Sequence, residues 1–343
     1  MKVLIFSGYN PRAIISFCRI ASEYKLDFDI IASSKNDEIL NSKYSENVSI
    51  IRESKQMDID TILSICKKYE NQKLFILPST EYLNRILISN SEILNKNSIY
   101  FGLTDKKTYE LVSDKISFGE LCKDNGISVP KEYDEIQIPC VLKPKKYFNS
   151  NLGIDTPELI FDESDIDKVS NLEDFYIQQY VDGESIYLLF YVTKNGDYSV
   201  YSQKNYIQQP NGGSILLAKS TKHYKESISS KVADLFVKIG FSGLVMVEFR
   251  RTLNDWIMIE ANPRLWGPSQ LILDSGMNLF DMFLYDNGLI DYIKDREYKA
   301  GIPYLWHFGM GMDDSKLDSY QPNIFLTNDL YNREDTIKIF KNG

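Results

Sequence analysis

Along the first hundred residues, the apolar positions fall into short runs separated by segments of helical spacing. Lys2–Phe6 reads as a buried strand. The polar stretch Ser7-Gly8-Tyr9-Asn10-Pro11 reads as a turn, and residues 12–24 as a helix with Ile15, Cys18, Arg19 and Ala21 at helical spacing. Phe28–Ala32 is the next predicted strand, and residues 74–77 another, stopped by Pro78. Strands alternating with helices imply a parallel sheet. The turn after the first strand is not GxGxxG, so a dinucleotide fingerprint is absent. A boundary falls near Gly102. Thr104 or Asp105 can cap one helix, and Ser113 or Asp114 a second, which ends at Asn125-Gly126 and exits through Ile127-Ser128-Val129-Pro130. From 140 to 220 the pattern becomes strand-like. Cys140–Pro144 and residues 175–181 read as strands, the latter closed by Asp182-Gly183. Residues 186–193 and 198–203 flank Lys194-Asn195-Gly196-Asp197, a strong hairpin signal. This region is expected to be antiparallel. A helix is predicted over 227–239. After 290 the pattern is mixed and predicts no element.

Composition adds limits. The chain has 343 residues, 43% hydrophobic and 25% charged, which fits two or three globular units and excludes a disordered or collagenous chain. Lys plus Arg is 39 and Asp plus Glu 48, giving −9. That field disfavours nucleic acid and anionic membrane, although a local basic groove stays open. The four cysteines form no CxxC pair, and two histidines are too few for a three-His zinc site. The apolar start is too short for a signal peptide, and no run is long enough to span a membrane. A soluble, cytoplasmic protein is expected.

The stretch from Gly243 to Gly267 carries the most chemistry. Two apolar strands flank a polar turn. Alternation puts Leu244, Met246 and Glu248 on one face of the first strand. It puts Trp256, Met258, Glu260 and Asn262 on one face of the second. A turn centred on Asn254 sets Glu248 opposite Glu260, about 5 Å apart. Facing carboxylates repel unless one is protonated or a cation lies between them. Magnesium takes such hard oxygen ligands, completed by water and phosphates. The competing reading is a solvated sheet face, against which both strands are strongly apolar.

With these motifs in order, the chain resembles the ATP-grasp superfamily over about residues 100–290. The resemblance rests on Asp114-Lys115, the Asn125–Pro130 exit, and Val141-Leu142-Lys143-Pro144. It continues with Ile177-Gln178-Gln179-Tyr180-Val181-Asp182-Gly183-Glu184, Val247-Glu248-Phe249, and Ile259-Glu260-Ala261-Asn262-Pro263-Arg264. The branch it looks most like includes carbamoyl-phosphate synthase large subunits and D-aspartate ligases. The resemblance implies an α/β and α+β protein. A parallel α/β domain preceding the grasp (1–100) would be followed by a small lobe with central helices (101–181) and a C-terminal lobe with the metal site and tail (182–343), both with antiparallel sheets. It implies ATP with Mg2+, Mn2+ being the alternative ion. Lys115 and Lys143 would contact phosphates, and Gln178, Gln179, Tyr180 and Val181 would form the adenine hinge. Glu248, Glu260 and Asn262 would hold the metal, and Arg264 would stabilise the transferring phosphoryl group.

The sequence departs from that pattern in two places. Relatives often carry an acid two residues after the hinge glycine. Here Glu184 follows Gly183 directly and Ser185 holds the usual place, so Glu184 is the stand-in for a ribose contact. The loop 145–153 has one glycine where many relatives have a glycine-rich flap. Lys204 is a candidate catalytic residue facing the substrate, and the Gln209–Gly213 loop reads equally as a substrate contact or a plain turn. The expected reaction joins a small carboxylate and an amine into an amide through an acyl phosphate, releasing ADP and phosphate. A carboxylate or carbamate kinase and a non-catalytic nucleotide-binding module are the alternatives. Expected partners are small molecules, neither nucleic acid nor membrane, with a homodimer open.

Overall fold

The computed structural model describes residues 1–54, 57–69, 72–145, 157–169, 171–311, 320 and 322–342. The N-terminal unit is a parallel sheet of β1 (Lys2–Phe6), β2 (Phe28–Ala32), β3 (Val48–Ile51), β4 (Leu74–Ile76) and β5 (Ile99–Tyr100), in the order β3-β2-β1-β4-β5. The short edge strands β3 and β5 were not visible in the apolar pattern. The sheet is buried on both faces, as parallel sheets require. Val3 and Ile5 pack with the helix Pro11–Glu23 on one side, while Leu4 and Phe6 pack with the helices Ile59–Cys66 and Glu81–Ser89 on the other. The predicted caps are used. Asp105 and Asp114 accept hydrogen bonds from Thr108 and Ser117 at the starts of Lys106–Ser113 and Lys115–Asp124.

The rest of the chain builds two antiparallel sheets, as expected. The smaller contains β6 (Glu132–Tyr133), β7 (Cys140–Pro144), β8 (Glu158–Ile160) and β9 (Phe175–Gln179), ordered β6-β9-β7-β8. The larger contains β10 (Glu184–Val192), β11 (Tyr198–Gln208), β12 (Ile215–Ser220), β13 (Gly243–Arg251), β14 (Trp256–Asn262) and β15 (Pro303–Leu305), ordered β14-β13-β10-β11-β12-β15. The Asn195-Gly196 hairpin joins β10 to β11, with Gly196 at φ +87°. Gly183 lies so close to β13 that a Cβ there would sit 2.9 Å from the Arg251 carbonyl.

Alternation along β13 divides two cores. Val245, Val247 and Phe249 face the helix Ser227–Lys238, while Leu244 and Met246 face the N-terminal unit. That second core runs without interruption from β1 and the helix Pro11–Glu23 through Leu265, Trp266 and Tyr304 to Tyr331. The tail, unreadable in sequence, completes it. β15 extends the large sheet at β12, and Leu330 donates its amide to Leu305. Arg19 clasps Asp335 through Nε and Nη2 at 2.8 and 2.9 Å, and Tyr44 donates to the same carboxylate.

Asp335→Ala would leave the half-buried Arg19 guanidinium without its carboxylate. The expected loss is about 2–4 kcal/mol, read as a lower melting temperature of the full chain. An unchanged melting temperature would show that the tail docks without this pair.

Candidate active site

The two glutamates meet as alternation predicts, but through a geometry that the arithmetic left out. Glu248 stands opposite Glu260, and Met246 opposite Asn262. Nearer the turn, Phe249 pairs with Met258, Arg250 with Ile257 and Arg251 with Trp256. Ile259 is therefore an extra residue, a bulge, and the turn is centred between Leu253 and Asn254. The bulge corrects the expected face. Met258 and Glu260 are separated by it, so Met258 packs with Phe249 and Val247 in one core while Glu260 joins Glu248 on the other side. The bulged carbonyl of Ile259 also accepts a hydrogen bond of 2.9 Å from Lys143 Nζ.

Around this pair the charges alternate. Lys115, first residue of its helix, places Nζ 3.2 Å from Glu260. Arg250 places Nη2 3.6 Å from Glu248. Asn262 donates to Glu260 at 2.8 Å, and Arg264 donates to the Asn262 oxygen at 3.3 Å. Glu248 is 6% exposed, and burial with the facing Glu260 pushes its pKa up to about 7. Burial also acts to raise Glu260, but Lys115, Lys143 and the Asn262 hydrogen bond overcome it and hold that carboxyl well below its usual range. Lys143 is 4% exposed, and its burial lowers its pKa to about 8, against the pull of Glu260.

These groups fit a hard divalent cation. A buried like-charged pair that keeps one proton near neutrality is a site that a cation relieves. Among the described residues no three His, Cys, Asp or Glu side chains cluster, so the donors are two carboxylates and an amide, leaving positions for phosphate and water. The Asn262 amide now turns its nitrogen to Glu260, so it would rotate to offer its oxygen to a metal.

A cavity of about 320 Å3 opens beside the pair. Lys143, Glu248, Glu260 and Ile259 line it at one side, and Gln178, Gln179, Tyr180 and Val181 at the hinge. The hinge is fixed by Gln179, whose amide donates to the Lys131 carbonyl at 2.8 Å, and by Tyr180, whose ring lies edge-on to Phe161 at 4.9 Å. Gln208, Gln209, Pro210 and Gly212 form a lip, which places the loop with two readings on the cavity wall. A hollow of about 710 Å3 adjoins this cavity, sharing Pro130, Gln178 and Ile259 and reaching Lys115, while one of about 570 Å3 lies elsewhere; neither is lined by Glu248 or Glu260.

Two expected residues are not brought here. Lys204 is in register with Ile186, which pairs with Phe249, so it belongs to the sheet face opposite Glu248. It forms an ion pair with Glu184, which Arg251 also approaches at 3.6 Å. Lys204 as a catalytic residue and Glu184 as a ribose contact are therefore both corrected: period-two alternation sends them to the far face. Ser185 instead shares a row with Arg250 and Asn205, beside the row Glu260, Glu248, Tyr187 and Gln203. Arg250 escaped the sequence reading, yet it follows Glu248 by two on one strand, the same signal that paired the glutamates. Lys145 donates to the Glu173 carbonyl, and the remainder of the flap, Lys146 to Gly153, lies outside the described residues.

Residues 112–268 match the family of ATP-grasp domains. Solved structures share the fold across most of the chain at low identity. A biotin carboxylase from Campylobacter jejuni, in complex with β-γ-ATP, superposes with a TM-score of 0.64 at 16% identity, covering 87% of this chain and 73% of that one. An ADP complex of PurK, an N5-carboxyaminoimidazole ribonucleotide synthetase, gives 0.64 at 14%, covering 88% and 80%. An L-amino acid ligase from Bacillus licheniformis gives 0.61 at 15%, covering 84% and 74%. Comparison with curated protein sequences finds no significant match. Among the described residues no helix is long and apolar enough to cross a membrane.

Glu260→Gln removes one charge from the pair and keeps its shape. Affinity for Mg2+ in the presence of nucleotide should fall at least about 100-fold, measured by titration calorimetry. Affinity within threefold of the unaltered protein would place the cation elsewhere. Lys143 yields a pH signature. Its proton is lost above about pH 8 in the free protein, so triphosphate binding must restore it. ATP affinity should decline by up to about tenfold per pH unit above 8, and Lys143→Met should bind weakly with that decline abolished. The same decline in Lys143→Met would assign it to another group.

Proposed function

We propose, from the match of residues 112–268 to the ATP-grasp domain family, that the chain is an ATP-dependent carboxylate–amine ligase. The observation that carries this reading is the glutamate pair, held in register and flanked by the ammonium groups of Lys115 and Lys143 beside a hinge-lined cavity. Such an arrangement suits a nucleoside triphosphate with its metal more than a neutral ligand. Among the three neighbours described above, one is named as an amino acid ligase, and two are described with adenine nucleotides or an ATP derivative. The three-part division at 100/101 and 181/182 belongs to this reading: an α/β unit preceding the grasp, a small lobe with central helices, and a C-terminal lobe with the metal site and tail.

In this reading Gln178 to Val181 hold the base, and Lys115 and Lys143 hold phosphate oxygens. Lysine is a point charge suited to that task, and Lys143 is fixed by the Ile259 carbonyl before the nucleotide arrives. Glu248, Glu260 and Asn262 would hold magnesium, which would supply neutralisation of phosphate charge. Arg264, tied to Asn262, would face negative charge developing on the transferred group. The carboxylate oxygen attacks the γ-phosphorus and the bond to the β-γ bridging oxygen breaks, giving acyl phosphate and ADP. An amine then attacks the acyl carbon and phosphate leaves. No side-chain nucleophile is required. The four cysteines are buried, consistent with none serving as one.

The nucleotide product should be ADP. Supplied with its carboxylate, ATP and hydroxylamine in place of the amine, the protein should form a hydroxamate in amounts matching the ADP released. AMP with pyrophosphate would overturn the reading. ADP without any hydroxamate would favour a carboxylate kinase.

A further inference from the structure

Arg12 is a buried cation that the site described so far does not use. It is the second residue of the helix Pro11–Glu23 and is 7% exposed. Its Nη1 donates to the Ile215 carbonyl at 3.0 Å and to the Tyr304 hydroxyl at 3.4 Å, and its guanidinium lies 3.8 Å from the Trp306 ring centroid. All these partners are neutral. Three other arginines each meet a carboxylate: Arg19 meets Asp335 and Arg296 meets Glu23 and Asp281, while Arg333 ties the tail to Asp274. Among the described residues no carboxylate lies within 4 Å of Arg12, and neither its Nε nor its Nη2 makes a hydrogen bond. Glu38 is close enough to feel its charge but makes no direct contact with it, and accepts a hydrogen bond of 3.0 Å from the Tyr331 hydroxyl instead. A buried guanidinium with no carboxylate in direct contact leaves donors that an anion arriving from outside can take up.

Its surroundings relate it to the cavity. Ile215, its anchor, is directly opposite Gln208 on the cavity lip. Gln209, also on the lip, donates to the carbonyl of Gly309, whose Cα packs on Trp306 so tightly that a Cβ would be 2.3 Å from the ring. On its other side stands Gly267, where a Cβ would fall 2.3 Å from Nη2. Gly267 lies three residues past Arg264, and Asn10, two before Arg12, donates to Leu265 in between. Arg12 therefore stands between the lip of the cavity and the segment leaving the metal pair.

We propose that Arg12 is a specificity-determining residue that clasps a second anionic group, carboxylate or phosphate, on the carboxylate substrate. The substrate class is then a dianion, activated at one end and held by Arg12 at the other. This rests on the ligase reading. The fork of guanidinium N–H groups matches either oxyanion in bidentate fashion, which a lysine cannot do.

The test supplies the full chain with ATP, Mg2+ and hydroxylamine, and follows ADP with substrate pairs differing in one anionic group. Suitable pairs are L-glutamate and L-glutamine, L-aspartate and L-asparagine, glutarate and valerate, and 3-phosphoglycerate and glycerate, the last separating phosphate from carboxylate. The unaltered protein should use a dianion at least about tenfold better than its partner. Arg12→Met should raise KM for that dianion about 10- to 100-fold, leave KM for ATP unchanged, and erase the preference. Arg12→Lys, which keeps the charge, should be intermediate, and it decides alone if Arg12→Met fails to fold. A preference for the uncharged partner overturns the proposal. So does a variant with a lowered melting temperature that keeps its dianion preference, because Arg12 would then be structural. If no carboxylate supports ATP turnover, the ligase reading fails separately. Calorimetry of the same dianions on the ADP–Mg2+ form then decides Arg12: binding lost in Arg12→Met supports it, and equal or absent binding overturns it.

Discussion

Two carboxylates face each other across a ladder of β-strands, and the local structure is arranged around that repulsion. At about 5 Å and an effective dielectric near 20, two unit charges repel by roughly 3 kcal/mol. The chain meets this with cations drawn from distant parts of the sequence. Lys115 comes from a helix start, Lys143 from the smaller sheet, and Arg250 from the strand that carries Glu248. The pair is also asymmetric. Glu260 has the lysines and stays charged, while the more enclosed Glu248 is raised towards neutrality. Unliganded, the site is compensated only in part, which is the condition under which a divalent ion with phosphate is a favourable guest.

The bulge at Ile259 makes that arrangement compatible with a packed sheet. Without an extra residue, Met258 and Glu260 would share a face, and either a methionine would leave the core or a glutamate would enter it. One inserted residue lets Met258 fill the core beneath the helix Ser227–Lys238 and lets Glu260 meet its partner. The carbonyl displaced from the ladder then becomes the fixed acceptor for Lys143. Bulges recur beside functional sites because they re-aim side chains in this way.

The N-terminal unit contributes placement to the same site. Asn84 and Asn10 donate to the carbonyls of Pro263 and Leu265, holding the segment that carries Arg264. The core from β1 to Tyr331 makes the parallel sheet and the large antiparallel sheet one packed body, and the tail fastens it through Arg19 and Asp335. Arg19, Arg296 and Arg333 each meet a carboxylate in direct contact, which Arg12 does not.

Much of this was legible in order along the chain. The apolar runs located β1, β2 and β4 and showed that their sheet was parallel, because period and punctuation are local properties. Alternation placed Glu248 with Glu260, and cap residues marked the helix starting at Lys115. Other features depended on neighbours distant in sequence. The bulge arises from what each face of β14 packs against, so turn arithmetic gave the right pair while centring the turn half a residue off. The strand faces of Glu184 and Lys204 follow from pairing with Ile186 and Phe249, which motif spacing ignores. The tail carries no periodic signal, since its order comes from ion pairs to residues about 300 positions away. Whether Arg12 has a counter-ion is likewise a question of what surrounds it. Local sequence determines which elements form and which chemistry they carry, whereas the desolvation and charge that give those groups their properties exist only once the faces have met.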